Sequence, residues 1–403
     1  MNHPAAGKRI LLGVTGSIAA YKAADIASKL TQAGALVDVI LTESACKFIS
    51  PLTFQSVTGR KAYVDADLWG GEGHVTHVGL GHNADLMIIA PVTASTLSKL
   101  AHGSGDNLLS LTALVITCPL ILAPAMDAGM YSHPATQASV EILRQRGATF
   151  IGPAAGHLAS GLVGLGRLVE PADIIGAARL ALSRGGPLAG KQLLVTAGGT
   201  QEPIDPVRAI TNRSSGRQGY AIAQAGLDAG ADVTLITTPT ALKPPVGAQV
   251  VPVQTAAEML NAVLEHSRTA DALVMAAAVA DFHPAATNAQ KIKKSSGFDT
   301  IPLEPTADIL ATLAAERIKT GMPRRVIGFA AESQDLLQNA AAKLKAKNLD
   351  LIVANDISAP DAGFETTTNR VILLYPDGRQ EPLPLQGKDE VANHLIEIVI
   401  DWL

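Results

Sequence analysis

Leu194-Val195-Thr196-Ala197-Gly198-Gly199-Thr200 is an apolar run that drives straight into paired glycines, and Gly13-Val14-Thr15-Gly16-Ser17-Ile18-Ala19-Ala20-Tyr21-Lys22 does the same near the front of the chain. A short apolar run closed by a turn reads as a buried strand, with the glycines turning the backbone into a helix. Outward from the first motif, Gln192–Thr196 is a strand, and similar runs fall at Val233–Thr237, Ala272–Met275, Val326–Phe329 and Leu351–Ala354. Around the second, Ile10–Val14, Leu36–Leu41, Leu86–Ala90 and Leu120–Ala123 repeat the pattern, with helical stretches at Ala94–Ala101 and Pro134–Arg146. Strands alternating with helices predict an α/β protein whose sheets are mostly parallel and doubly wound. Ser183 to Gly190 is a Gly/Pro-rich stretch without apolar periodicity, so two domains are expected, 1–184 and 191–403, with a linker at 185–190. Late in the chain, Arg370–Tyr375, the turn Pro376-Asp377-Gly378 and Arg379–Pro382 read as a β-hairpin. Lys388–Leu403 reads as an amphipathic helix packed on the second sheet. Open α/β sheets bind ligands at the carboxyl ends of their strands, so each unit should hold its own ligand there. Topology alone does not say which.

Composition narrows the class. The 403 residues are 47% apolar, 17% charged and 3% aromatic, with a formal net charge of −4, and no basic block appears. Nucleic acid and anionic membrane are therefore not expected partners. The first residues, Met1 to Lys8, lack a signal-peptide core, and no run long enough to span a bilayer occurs, so a cytoplasmic enzyme is expected. Cys46 and Cys118 show no metal-ligand spacing and read as small buried hydrophobes.

In the second unit a stronger element follows the glycine loop: Ile204-Asp205-Pro206-Val207-Arg208, then Asn212-Arg213-Ser214-Ser215-Gly216-Arg217-Gln218-Gly219. Small residues just before a helix expose backbone N–H groups, and with the helix dipole they form an anion site. An ordinary capped helix start is the plainer alternative. Met275 to Phe282 reads as a strand whose end delivers Asp281 to the binding edge, where it could hold a phosphate-bridging metal or contact a sugar. Lys291-Ile292-Lys293-Lys294 sits in a polar stretch that is either solvated surface or a loop closing over substrate. Lys343 and Lys347 share one helical face.

These motifs, in this order over nearly the whole chain, resemble the bifunctional coenzyme A biosynthesis flavoproteins, phosphopantothenoylcysteine decarboxylase/phosphopantothenate–cysteine ligase. The resemblance implies a flavodoxin-like flavoprotein domain followed by a Rossmann-like ligase domain. It implies that 4′-phosphopantothenate attacks CTP through its carboxylate to give an acyl-cytidylate, which cysteine's amine then opens. By the same resemblance Asn212 steadies the acyl-cytidylate and Lys291 assists its formation. Ser214, Ser215, Gly216, Asp281, Lys291, Ala307, Asp308, Ile309, Leu310, Phe329, Lys343 and Lys347 then fall where CTP binds. Mg²⁺ and the lysines would offset the phosphoryl charge, although no ligand set for the metal is legible. The family also implies a homo-oligomer, with trimeric flavin domains and paired ligase domains forming a dodecamer.

The first unit lacks GxGxxG spacing, which favours a mononucleotide over a dinucleotide. Three hydroxyl-rich loops on one edge, at Thr15–Ser17, Thr42–Ser44 and Pro91–Thr96, would suit FMN. The resemblance places Gly16, Ser17, Ile18 and Thr42 near the FMN phosphate and Pro91, Thr93, Ser95 and Thr96 along the flavin. His77 matches the family's active-site histidine, while His74 and His82 read as surface residues. Two positions depart from the pattern. Asp127, in Pro124-Ala125-Met126-Asp127, stands where an asparagine is thought to hold the substrate carboxylate, and an ionised aspartate there repels it unless burial protonates it. Ser160, in the flap Gly156-His157-Leu158-Ala159-Ser160-Gly161, stands where a cysteine donates the last proton. The alternative is an active ligase whose degenerate flavin domain serves as an assembly scaffold. A nicotinamide oxidoreductase is a further class, but neither glycine turn carries the dinucleotide fingerprint.

Overall fold

Ile10 to Val14 are all buried, which is what a central parallel strand flanked on both faces by helices requires. The computed structural model describes residues 3–69, 75–293, 300–332, 335–356, 366 and 368–403. The chain divides into two compact units, one ending at Arg184 and the other starting at Gly185.

The first unit runs β1 (Arg9–Val14), α1 (Tyr21–Gln32), β2 (Leu36–Leu41), α2 (Pro51–Thr58), β3 (Ala62–Tyr63), α3 (Thr76–His82) and β4 (Leu86–Val92). It continues with α4 (Ala94–His102), α5 (Leu108–Val115), β5 (Leu120–Pro124), α6 (Ala128–Ser132), α7 (Pro134–Gln145) and β6 (Thr149–Phe150). A hairpin of β7 (Ala154–His157) and β8 (Val163–Arg167) and then α8 (Pro171–Ser183) complete it. The sheet is parallel throughout, in the order β3-β2-β1-β4-β5-β6. The order reverses between β1 and β4, so the loops after those strands flank the switch point. Leu11, Ile40, Met87, Ile89, Leu109 and Leu122 form part of one continuous core beneath it.

The second unit contains β9 (Gln192–Ala197), the pair β10 (Gln201–Pro203) and β11 (Ala209–Thr211), α9 (Arg217–Asp228), β12 (Asp232–Thr237), β13 (Gln249–Pro252), α10 (Ala256–His266) and β14 (Ala272–Met275). After the pair β15 (Phe282–Pro284) and β16 (Leu303–Pro305) come α11 (Ile309–Thr320), β17 (Arg325–Glu332), α12 (Leu336–Ala346) and β18 (Leu351–Asp356). The chain ends with β19 (Thr368–Asn369), β20 (Val371–Leu374), β21 (Gln380–Pro382), β22 (Gln386–Gly387) and α13 (Lys388–Trp402). The eight-stranded sheet has the order β13-β12-β9-β14-β17-β18-β20-β21, parallel through β18 and antiparallel beyond it. Its switch point lies between β9 and β14. Val391, Ala392, Leu395, Ile396 and Val399 form the buried stripe of α13, which packs along α9. Among the described residues no helix is long and apolar enough to cross a membrane.

The hairpin expected at Arg370–Pro382 is present, but its strands are shorter, with Arg370, Tyr375 and Arg379 outside them. Cys46 and Cys118 are half-buried rather than fully buried, and burial lifts both thiols above their ordinary pKa. The two cysteines stay protonated at neutral pH.

Close approach of α9 to β9 rests on Gly219. A Cβ there would stand 2.6 Å from the Ala197 Cβ and 2.7 Å from the Thr196 carbonyl oxygen, backbone that cannot yield. Gly219→Val is expected to destabilise the second unit by about 1–3 kcal/mol, the cost of overpacking a filled interface. A denaturant midpoint unchanged from the parent would refute this reading of the contact.

Candidate active sites

In the second unit the site begins where β9 ends. A Cβ on Gly199 would lie 2.6 Å from the Asn212 carbonyl oxygen, so glycine is what lets the Asn212 loop cross the strand end. Gly216, at φ +74°, is the N-cap of α9 and brings no side chain to its first-turn N–H groups. The first-turn N–H groups of the helix and its dipole favour an anion. They open into a cavity of about 650 Å³ beside the end of β14.

Asn212, Ser214, Ser215, Gly216, Asp281, Ala307, Asp308, Ile309, Leu310, Phe329, Lys343 and Lys347 all line this cavity. Each is held by its own local chemistry. The Asn212 amide donates to the Val279 carbonyl at 2.9 Å. Thr306 donates its N–H to the Asp281 carbonyl at 2.9 Å and its hydroxyl to the Ala280 carbonyl at 2.6 Å, fixing the Asp281 turn to the start of α11. Asp308 caps α11 by accepting from the Ala311 N–H at 3.0 Å, and Lys347 pairs with it at 3.1 Å. Partial burial opposes ionisation of Asp308, yet the Ala311 N–H and Lys347 hold its carboxyl below the usual range. The same ion pair fixes α12, which presents Lys343 one turn before Lys347.

Lys291 stands elsewhere. It is exposed and outside the cavity lining. Its neighbour Ile292 donates its N–H to Asp205 at 3.1 Å and accepts at its carbonyl from Arg208 at 3.0 Å. Arg208 and Asp205 are themselves ion-paired, and this guanidinium holds the Asp205 carboxyl far below its ordinary range. With the Asn288 N–H bonded to the Ile204 carbonyl at 3.0 Å, the segment is anchored to the β10–β11 turn. Lys294, the last of the lysine cluster, lies outside the described residues. The lining also includes Gln218, from the quoted anion loop, and Asn355, Asn369 and Lys388, none of which was singled out as a site residue from sequence. Met275 to Phe282 is not one strand as expected, because β14 stops at Met275 and β15 starts at Phe282, so Asp281 sits in the connection between them, whereas Asn355 lies within β18. Asn369 and Lys388 enter from the distant hairpin and last helix, where no local pattern marks them.

In the first unit the three hydroxyl loops follow β2, β1 and β4, which are adjacent strands. Thr15 Oγ1 donates to the Pro91 carbonyl at 2.7 Å and accepts from the Thr93 N–H at 3.1 Å, joining two of the loops. A Cβ on Gly16 would fall 2.5 Å from the Ser44 Cβ, so the third loop touches them too. Ser17 accepts from the Ala19 N–H and Thr42 from the Ala45 N–H, each at 3.3 Å. Thr93 caps α4 by accepting from the Thr96 N–H at 3.4 Å. Gly16, Ser17, Ile18, Thr42, Pro91, Thr93, Ser95 and Thr96 thus sit on one edge of the sheet. Among the described residues the buried Nδ1 of His77, on α3, has no hydrogen-bond partner. His82 is exposed, and His74 lies outside the described residues.

The two departures meet. Ser160, in the turn of the β7–β8 hairpin, donates its hydroxyl to Asp127 at 2.6 Å, while the other Asp127 oxygen accepts from the Gly129 N–H at 2.9 Å. Ser160 first and Gly129 second hold the Asp127 carboxyl below its usual range. Burial therefore does not protonate Asp127, and it stands as an anion.

Two doubly wound sheets, each with glycine and hydroxyl loops at its switch point, define a two-unit α/β protein with a candidate ligand site in each unit. A family model described as flavoprotein matches residues 1–180, and one described as DNA/pantothenate metabolism flavoprotein C-terminal domain matches residues 188–403. The coenzyme A biosynthesis bifunctional protein CoaBC of Bacillus subtilis is 45% identical over 393 residues, covering 97% of this chain and 96% of its own. Its namesake from Mycobacterium tuberculosis is 44% identical over 415 residues, covering 100% and 99%. A solved C-terminal domain of a protein of that name aligns at 40% identity over 54% of this chain and 97% of its own, with a TM-score of 0.46. The chain belongs to the family of bifunctional coenzyme A biosynthesis proteins, flavoproteins that join a decarboxylase to a ligase.

Proposed function

We propose that the chain performs two consecutive steps, CTP-dependent joining of 4′-phosphopantothenate to cysteine and FMN-dependent decarboxylation of the phosphopantothenoylcysteine formed. The observation that supports it most is the cavity at the β9/β14 switch point, which eleven residues assigned to CTP from sequence line together with Asn212. In the ligase half, which we place at 191–403 after a 185–190 linker, the carboxylate oxygen attacks the α-phosphorus and the diphosphate leaves. The anhydride makes the acyl carbon reactive toward cysteine's amine, and CMP leaves in turn. Asn212 steadies the acyl-cytidylate, and Lys291 neutralises charge as it forms. Among the described residues no group of three or more His, Cys, Asp or Glu side chains could hold a metal, so Mg²⁺ fits here as a passenger of the triphosphate.

In the first half, 1–184, the cross-bonded loops fit the phosphate and ring of FMN. The orphaned Nδ1 of His77 fits a group with a polar atom to offer. Bound FMN supplies the two-electron oxidation and reduction that bracket loss of CO₂. The protein's part is to hold the substrate with His77 near its reacting end and to shelter it under the β7–β8 hairpin. A role as assembly scaffold alone has no observation in its favour. We further propose a cytoplasmic homo-oligomer built from trimeric flavin domains and paired ligase domains.

The test uses the whole purified protein. A yellow flavin spectrum is expected, and incubation with 4′-phosphopantothenate, cysteine, CTP and Mg²⁺ should give 4′-phosphopantetheine by mass spectrometry. Accumulation of phosphopantothenoylcysteine instead would confine activity to the ligase, and neither product would sink the reading.

A further inference from the structure

Between the end of β14 at Met275 and the start of β15 at Phe282, the chain runs outside the continuous ladder of the sheet. Its backbone polar groups still need partners, and Ala276-Ala277-Ala278-Val279-Ala280 has no polar side chain of its own to supply them. Neighbouring elements do so. The Ala278 N–H donates to the Gly198 carbonyl at 2.8 Å, and the Ala278 carbonyl accepts from the Thr200 N–H at 3.2 Å. The Thr196 hydroxyl accepts from the Ala277 N–H at 3.1 Å, and the Asn212 amide holds the Val279 carbonyl. Ala280 is gripped on both sides. The Thr200 hydroxyl accepts from its N–H at 2.9 Å, and the Thr306 hydroxyl donates to its carbonyl at 2.6 Å. The Thr306 N–H then donates to the next carbonyl, that of Asp281, at 2.9 Å. Ala280 is only 3% exposed and Thr200 is fully buried, so these bonds form where water competes little. Asp281 itself is exposed and lines the cavity. Thr306 also precedes Ala307 to Leu310, which line the same cavity, so one residue ties both lining segments together.

We propose that Thr200 and Thr306 are positioning residues for the ligase reaction, acting through Asp281, whose place at the cavity they set. This role rests on reading the cavity as the nucleotide site, and adds two residues whose hydroxyls bond the protein's own backbone. The Ala280 N–H belongs to the peptide plane before that residue and its carbonyl to the plane after it. With both planes fixed, the backbone enters Asp281 in one direction. Without the Thr306 hydroxyl the Ala280 carbonyl loses its side-chain donor, and the plane that leads into Asp281 tilts toward water. A group displaced by about 1 Å can lose about 10²-fold of its effect on a reaction. Valine at 306 has the shape of threonine and keeps the backbone N–H, so it removes the hydroxyl bond alone.

Pyrophosphate release from CTP and 4′-phosphopantothenate by the full chain tests this, with kcat/KM for CTP followed through a double-mutant cycle. Thr306→Val should lower kcat/KM about tenfold or more, within the range that misplacement costs. Thr306→Ser, which keeps the hydroxyl, should recover most of the loss, and Thr200→Ser should likewise stand above Thr200→Val. Asp281→Asn should lose at least as much as Thr306→Val. Adding Thr306→Val to Asp281→Asn should then cost less than about twofold more, because residues that act through one group are not additive. Thr306→Ala in both backgrounds repeats the cycle with a smaller side chain, in case valine is not tolerated. A multiplicative loss in the double variant, or a Thr306→Ser as impaired as Thr306→Val, overturns the positioning role and leaves the nucleotide reading standing. So does an Asp281→Asn with the parent's kcat/KM. A parent chain that releases no pyrophosphate overturns the nucleotide reading itself, and the positioning role with it.

Discussion

Lys291→Gln is expected to lower the joining of phosphopantothenate to cysteine by about 10²-fold or more, the scale on which loss of one donor to developing charge is felt. Lys291 is exposed, so glutamine of similar reach removes the charge without opening a cavity. Stability and flavin absorbance should match the parent. The loss should appear in pyrophosphate release, the first half-reaction, rather than in the later attack by cysteine. Because Lys291 lies outside the cavity lining here, its contribution requires the segment to come over the bound nucleotide. Parent-level pyrophosphate release in the variant would remove Lys291 from the mechanism.

Asp127→Asn combined with Ser160→Cys is expected to raise decarboxylation of phosphopantothenoylcysteine by about tenfold or more, since a well-placed general acid contributes about 10²–10⁴-fold. The reason lies in the hydrogen bond between them at 2.6 Å. Asp127 is kept ionised by Ser160 and Gly129, so it repels a carboxylate that an amide would welcome. A serine hydroxyl already given to that anion is a poorer acid still, whereas a thiol ionises near pH 8.5. Being in contact, the two substitutions should be non-additive, with each single change yielding less than half of the gain. Quantifying phosphopantetheine for all four proteins checks this. Equal rates in all four would show that neither residue touches the rate-limiting chemistry.

Much of this architecture was legible because buried parallel strands announce themselves. Leu36–Leu41 and Ala272–Met275 coincide with their strands, and the glycine turns of both switch points were read directly. Elements without apolar contrast were not. β7 and β8 are Ala-Ala-Gly-His and Val-Gly-Leu-Gly-Arg, whose glycines and alanines blur any alternation. The cavity wall was readable from the residues at Asn212–Gly216, a small-residue loop before a helix, whereas Ala307–Leu310 carried no local signal and was placed only by the family resemblance. Asn369 and Lys388 reach it through antiparallel pairing and the docking of α13, which are long-range packing events. The Lys291 cluster illustrates the opposite limit. Its chemistry was readable, but its position depends on Asp205 and Arg208, more than eighty residues earlier.

That anchorage has a mechanical meaning. Ile292 is gripped at both its N–H and its carbonyl, so Lys291 is a short lever whose fulcrum is one residue away. Its ammonium can sweep an arc set by its own side chain, but translation of the whole segment requires the grip to be released. Since Arg208 keeps Asp205 ionised well into acid, neutralising the fulcrum is not how the lever is freed at ordinary pH. Freeing the segment therefore means breaking the two bonds that Asp205 and Arg208 make to Ile292.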